Sequence, residues 1–381
     1  MNILIYSDKF LPTIGGSCRV SYELAREFHK LNHNVSVLTV DSKPSGSPDF
    51  DRKFPFDVFR CPVYQPHFIR RIFSYRFFRN ILIKRKIRII YILASHYDYL
   101  LIKAARKLNI PYVVSIQSPQ DLILPVIPPE FIKKFNKRYA DARMFIAIAE
   151  KIKINLMKIG VPADKIKYVR IGVNHEHFSP DGGTGDIENK YNLKGKNVIL
   201  TVARLDINKG QADMINALRS VIKEIPNTVY MIIGEGDYEK KLRSITVNSD
   251  LEKHIIFTGA LDYSELPAYY CSADIYVMPS LSESVGLSYL EAQSCTRPAV
   301  GYRGIAEEAV LDGVTGILVK LKSVEELKSS IVGLLSDEGL CQKMGRAARE
   351  RMIEKFSWEK IGRESVEIME RMLWTKKEKQ Y

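Results

Sequence analysis

Short apolar, β-branched runs alternate with longer helix-like segments along the whole chain. A first series comprises Asn2–Ser7, Val35–Val40, Ile89–Leu93, Tyr112–Ile116, Met144–Ala147 and Lys167–Arg170. A second comprises Val198–Val202, Val229–Ile233, His254–Thr258, Ile275–Met278, Pro298–Gly301 and Gly316–Val319. Runs that are apolar throughout, rather than alternating, predict parallel sheets covered by helices on both faces. Two series predict an α/β chain of two Rossmann-like halves. The stretch SPDGGTGD, Ser179–Asp186, has linker composition and predicts a boundary between domains 1–180 and 181–356. Ligands in open parallel sheets bind beyond the carboxyl ends of the strands. Two facing sheets would therefore put an active site in the cleft between domains.

Composition changes this picture little. The 381 residues suit two domains, and 46% hydrophobic with 27% charged residues is ordinary for a soluble protein. No apolar run is long enough to span a bilayer. The start, MNILIYSDKF, reads as a first buried strand rather than a signal peptide. The five cysteines are scattered and form no C-x-x-C, which favours a reducing cytosol over a disulfide framework or a zinc site.

Charge changes it more. Residues 1–180 hold 30 Lys and Arg against 14 Asp and Glu, and residues 181–381 hold 27 against 30. The net +13 therefore originates in the first half. A solvated basic face and an anionic partner surface are both compatible with it. The segment 67–91 mixes Arg and Lys with Phe and Ile and holds no acidic residue. It is expected to contact an anionic membrane, although its charges surround the axis of a helical wheel. No nucleic-acid-binding module accompanies the charge, so nucleic acid is not an expected partner.

Candidate chemistry concentrates in residues 279–300, PSLSESVGLSYLEAQSCTRPAV. Seven residues separate Glu283 from Glu291, with Gly286 just before the helix-like run Leu287–Ser294. A glycine at a helix N-terminus lets backbone N–H groups approach a phosphate closely. Glu291, inside the helix, can accept hydrogen bonds from ribose hydroxyls, and Glu283, before it, from sugar hydroxyls. This stretch resembles glycosyltransferase family 4, a retaining family of GT-B fold. The shared positions are Pro279, Ser280, Glu283, Gly286, Leu287, Leu290, Glu291, Ala292, Pro298 and Val300. Ser284 and Thr296 stand where the family usually has glycine, which is expected to alter local φ angles.

Other segments resemble the same family in order. VARLDINKG, residues 202–210, matches a V-G-R-L-x-x-x-K-G pattern with Ala203 in place of glycine. The resemblance implies that Arg204 and Lys209 hold the donor diphosphate. Such cations stabilise the charge left on the phosphate when the sugar bond breaks. It also implies donor contacts at Gly15 and Gly16 in SDKFLPTIGGSCRV, at Gly234, at Gly259 near the base, and around Gly304–Glu307. Arg303 and Ala306 depart from the pattern there. KYVRIGVNHEHF resembles the end of the first domain, and residues 357–381 the helix that returns to pack on it. Many relatives carry a histidine where this chain has Gln117 in YVVSIQSPQDL. Glutamine binds hydroxyls but is no general base. Gln117 and Asp121 are expected near the sugar or acceptor, and His96 is an alternative.

Asp49-Phe50-Asp51 lies in a Pro- and Ser-rich loop, and His175-Glu176-His177 at the interdomain hinge, so neither predicts a metal site. No metal or cofactor is expected beyond a nucleotide-sugar donor. The expected activity is retaining transfer of a hexose to a glycan or lipid-linked acceptor, at the cytoplasmic face. A binding protein that has lost activity is the alternative, motivated by Gln117.

Overall fold

The computed structural model describes residues 1–13, 15–40, 48–61, 67–94, 97–117 and 127–374, with backbone alone for 48 and 67–71. The chain forms two compact units, Met1–Ile171 with Trp358–Tyr381, and Gly172–Ser357.

The first unit holds a parallel sheet of seven strands among the described residues, ordered β3-β2-β1-β4-β5-β6-β7. These are β1 (Asn2–Ser7), β2 (Asn34–Thr39), β3 (Asp57–Arg60), β4 (Ile89–Leu93), β5 (Tyr112–Ile116), β6 (Met144–Ala147) and β7 (Ile166–Tyr168). Residues Ile3–Tyr6 and Ile89–Leu93 are buried throughout, as strands covered on both faces should be. Helices α1 (Gly16–Lys30), α2 (Pro48–Asp51), α3 (His67–Lys84), α4 (Asp98–Lys107), α5 (Pro129–Tyr139) and α6 (Glu150–Lys158) follow the strands. The edge strand β3 was not among the expected runs. Its sequence, DVFR, is half-exposed and carries too little apolar signal.

The second unit repeats the theme in the order β10-β9-β8-β11-β12-β13, all parallel. Its strands are β8 (Asn197–Val202), β9 (Thr228–Ile233), β10 (Ile255–Gly259), β11 (Ile275–Val277), β12 (Ala299–Tyr302) and β13 (Gly316–Val319). Its helices are α7 (Gly185–Tyr191), α8 (Gln211–Glu224), α9 (Glu239–Asn248), α10 (Leu266–Cys271), α11 (Leu287–Ser294), α12 (Val324–Ser336) and α13 (Glu338–Phe356). The core joins Ile199, Tyr230, Ile275 and Val300 of the sheet to Met214 and Leu218 of α8 and Leu327 and Ile331 of α12.

One expectation shifts. The division falls at Gly172, ahead of the expected boundary at 180, because residues 172–178 are already committed to the second unit. The Val173 N–H donates to the Phe356 carbonyl at 2.8 Å. The buried ring of Phe178 meets Tyr263 edge-on at 5.2 Å and Tyr270 at 5.6 Å. The last helix, α14 (Trp358–Trp374), belongs to the first unit, where it packs on α1. The basic segment 67–91 is α3 to Lys84, a turn with Lys86 at φ 49, then the start of β4 at the expected run Ile89–Leu93. Ser74, Phe78, Ile81 and Leu82 form the buried stripe of α3.

Candidate functional site

In the second unit the strand order reverses between β8 and β11, which lie side by side with Ile275 opposite Ile199 and Tyr276 opposite Leu200. That reversal is the position at which open α/β sheets bind ligands beyond their carboxyl ends. The loop after β8 carries Arg204 and Lys209, and the loop after β11 carries Glu283. Adjacent parallel strands therefore bring together residues 74 positions apart in sequence.

The first loop is rigid for stated reasons. The Asp206 carboxylate accepts from the backbone N–H of Asn208 at 2.9 Å and from the Asn208 side-chain amide at 3.0 Å. The backbone N–H bond is the main reason its carboxyl is held below the usual range. A short 3₁₀ turn, Ile207–Lys209, ends at Gly210 with φ 71 and ψ 13. A Cβ there would lie 1.9 Å from the Pro279 carbonyl oxygen, so glycine alone fits. The buried Gln211 donates its side-chain N–H to the Arg204 carbonyl at 3.1 Å. Ala203 departs from the family glycine without strain, since its φ is not positive and its N–H pairs with the Ile233 carbonyl at 3.0 Å.

Lys209 Nζ donates to Glu283 Oε1, with the lysine side chain 21% and the glutamate 13% exposed. Ser280 Oγ lies 2.9 Å from the Asn208 carbonyl and 3.3 Å from Glu283 Oε1, tying the two loops together. Arg204 is 72% exposed and reaches only Asp206, at 3.3 Å, among the described ion pairs. Gly286 caps α11 at φ 81, and Leu287 is the first residue of the helix. Glu291 accepts from the buried Tyr270 hydroxyl at 2.8 Å. Burial first, and the Glu291 charge second, push the Tyr270 phenol well above its ordinary range, so it donates as a neutral group. Of the two residues that stand in place of glycine, Ser284 has no positive φ, whereas Thr296 does, at φ 62. The Ser284 hydroxyl is buried and has no hydrogen-bond partner.

Around this centre, Gly234 ends β9 and donates its N–H to the Gly259 carbonyl at 2.9 Å, where the β9–β10 register slips. Gly304 and Glu307 are exposed on the loop after β12. The departing Arg303 is occupied by Asp312 at 2.7 Å and the Leu318 carbonyl at 2.9 Å. In the first unit, exposed Gly15 caps α1 without a side-chain hydrogen bond, and Gly16 opens the helix. Gln117 follows β5 and donates its amide N–H to Ser115 Oγ at 2.7 Å. Asp121 and His96 lie outside the described residues. Asp51 is held by Arg60 at 2.8 Å and the exposed Asp49 by Arg52 at 2.9 Å. His177 stacks on Tyr263 with centroids 4.5 Å apart. Among the described residues no group of three or more His, Cys, Asp or Glu is arranged to hold a metal.

The sequence reading missed Asp206, Gln211 and the role of Tyr270 as the partner of Glu291. Asp206-x-Asn208 carried a signal, being a capping pattern directly before a short turn.

Comparisons with known proteins fit this architecture. Residues 14–177 match the family "Glycosyltransferase Family 4", and residues 184–351 match "Glycosyl transferases group 1". A GDP-mannose-dependent alpha-(1-6)-phosphatidylinositol monomannoside mannosyltransferase of Mycolicibacterium smegmatis is 30% identical over 217 residues, 55% of this chain and 57% of that protein. The match thus spans about half the length of this relative and of several similar curated ones. A glycosyltransferase from Rickettsia africae superposes with a TM-score of 0.83 at 20% identity, over 98% of each chain. The Anabaena protein Alr3699/HepE, solved with UDP and glucose, also gives 0.83 at 18% identity, over 97% of this chain and 100% of that one. Among the described residues no helix is long and apolar enough to cross a membrane. With two parallel-sheet Rossmann-like units and both matches in chain order, the protein belongs to the group 1, family 4 glycosyltransferases of GT-B fold.

Proposed function

We propose that this protein transfers a hexose from a nucleoside-diphosphate sugar to a glycan or lipid-linked acceptor with retention at the anomeric carbon. The observation that carries the reading is the Lys209–Glu283 ion pair beyond adjacent strands β8 and β11, with Arg204 exposed on the same loop as Lys209. In transfer, the bond from the anomeric carbon to the distal phosphate oxygen breaks and a bond to the acceptor oxygen forms. The acceptor proton passes to the departing phosphate. Negative charge grows on that phosphate, and preset cations stabilise it most where water is partly excluded. Arg204 supplies a planar fork for phosphate oxygens and Lys209 a compact charge. No metal is assigned a part. The N-terminus of α11 offers backbone N–H groups to the diphosphate. Glu291, already fixed by Tyr270, has capacity to accept from the ribose.

The acceptor reading draws on α3. Ile72 and Phe73 are each 52% exposed, beside exposed Arg76 and Arg79 on the same helix. Apolar side chains among cations suit the interface of an anionic membrane. Such a surface would bring the enzyme to a lipid-linked acceptor on the cytoplasmic face, and the mycobacterial relative is named for a phosphatidylinositol-linked substrate.

The test is a panel of UDP-, GDP- and ADP-sugars scored for binding and for donor hydrolysis. Turnover of one donor is expected. Tight binding without hydrolysis or transfer would favour a non-catalytic protein, and absence of binding across the panel would overturn the reading. Membrane contact is tested by co-sedimentation with phosphatidylglycerol-containing liposomes. Replacing Arg76 and Arg79 by Ser, or Ile72 and Phe73 by Ser, should release the protein. Equal sedimentation of both variants and wild type would remove that part.

A further inference from the structure

We infer that the Ser284 hydroxyl is a specificity-determining contact to the sugar of the donor, a step that rests on the donor reading above. Three observations on the β11–α11 loop carry it. Ser284 directly follows Glu283, the carboxylate held by Lys209 and proposed to meet sugar hydroxyls. Its Oγ is buried without a hydrogen-bond partner. Two neighbouring serines are satisfied: Ser280 pairs with the Asn208 carbonyl at 2.9 Å, and Ser288 with the Tyr276 hydroxyl at 2.7 Å.

A buried hydroxyl without a partner is uncommon and calls for a physical reason. Backbone conformation does not supply one, because Ser284 has no positive φ and an alanine would serve the loop equally well. Serine differs from alanine only in carrying one donor and two acceptor lone pairs on a freely rotating bond. Ser284 is only half-buried as a residue although its Oγ is covered, and a sugar contact requires rotation about its first side-chain torsion to turn Oγ toward the accessible side. A sugar hydroxyl beside Glu283 would then satisfy it. The nucleoside diphosphate, held by Arg204, Lys209 and Glu291, lacks that hydroxyl. Ser284 therefore distinguishes the sugar from the nucleotide that carries it.

Calorimetric titration of wild type and Ser284→Ala tests this, using whichever of GDP-mannose and UDP-glucose the wild type binds, against GDP or UDP alone. Loss of one neutral hydrogen bond should weaken the nucleotide sugar about three- to tenfold and leave the free nucleotide unchanged. Thermal unfolding of the unliganded variant should show a melting temperature equal to wild type or higher, since an unsatisfied hydroxyl is removed. A lower melting temperature with equal affinities would mean that the hydroxyl is satisfied by a buried water, and would overturn the inference. Equal weakening of both ligands would overturn it too, by making Ser284 a loop-shaping residue. If wild type binds the free nucleotide but Ser284→Ala leaves nucleotide-sugar affinity intact, the inference fails and the donor reading stands. If wild type binds neither class, the donor reading fails and takes the inference with it.

Discussion

The Lys209 ammonium and Glu283 carboxylate neutralise one another in the unliganded protein, and each is largely covered. On the donor reading proposed above, an arriving diphosphate would compete with Glu283 for the lysine. Glu283→Gln keeps the side-chain shape while freeing that charge, so it should bind UDP or GDP as tightly as wild type or more tightly. Its turnover should fall about a hundredfold if the carboxylate orients the sugar. Lys209→Ala should lose nucleotide affinity and about 100- to 1,000-fold in turnover. Parallel measurement of kcat and nucleotide Kd separates the two, and weaker nucleotide binding in Glu283→Gln would contradict the competition. Asp206 gives a pH dependence instead. Its folded-state pKa lies below the unfolded value of about 4, so its contribution to stability is complete above about pH 4 and is lost as pH falls through the depressed value. Asp206→Asn keeps a capping oxygen but no charge, so it should flatten this acid limb, read from denaturant midpoints between about pH 2 and 7, by being less stable than wild type at pH 7 and converging on it at low pH. Both glutamates, Arg204 and Lys209 were singled out as candidates in the sequence by motif order. The ion pair and the orphaned Ser284 hydroxyl were not, since each depends on which strands become neighbours.

Element by element, the sequence was most readable where burial is complete. Strands β1, β4, β5, β6 and β13 and helix α11 coincide with the expected spans, because continuous apolar runs leave little choice of register. Signal fades at the edges: β3 pairs on one side only and half of its surface faces solvent. In α3 the arginines obscured a buried stripe that packing against α4 and Tyr6 of β1 defines. The reach of one element into another also decides the fate of Gly210. Its φ of 71 and the Pro279 carbonyl 1.9 Å from a would-be Cβ tie the start of α8 to the β11 loop. Gly210→Ala should therefore cost at least about 2 kcal/mol of stability, from a positive φ and a backbone clash together. It should also displace the Lys209 side chain from Glu283 and lower turnover more than stability alone explains. Urea unfolding alongside initial rates checks both, and a stable, fully active variant would show that the β8 and β11 loops are less tightly joined than the geometry implies.

At the scale of the whole molecule, the chain enters the second unit at Gly172 and leaves it at Ser357, so the first unit is assembled from both ends of the sequence. The returning helix was readable as a family resemblance, but its structural weight was not. Trp358, Ile361, Gly362, Val366 and Met369 are buried along one face of α14, and α1 lies against that face. Gly362 sits so near α1 that a Cβ would come within 2.6 Å of the Glu27 Cβ. A chain ending at Ser357 therefore uncovers α1 at Glu27, whose side chain is otherwise buried, and takes the apolar face of α14 out of the first unit. By contrast, the segment 172–357 contains every strand of its own sheet together with Arg204, Lys209, Glu283 and Glu291. Expressed alone, it should fold cooperatively and bind the nucleoside diphosphate within about threefold of the full chain, because the contacts proposed at Arg204, Lys209, Glu291 and α11 lie inside it and only those implied at Gly15 and Gly16 lie outside. The segment 1–357 should instead aggregate or melt in two steps, the first belonging to the unit that has lost α14. Circular dichroism melts and nucleotide titrations of the two fragments test the division. A first unit that melts unchanged without α14, or a second unit that folds but binds no nucleotide, would show that the units depend on one another differently from what their separate cores imply.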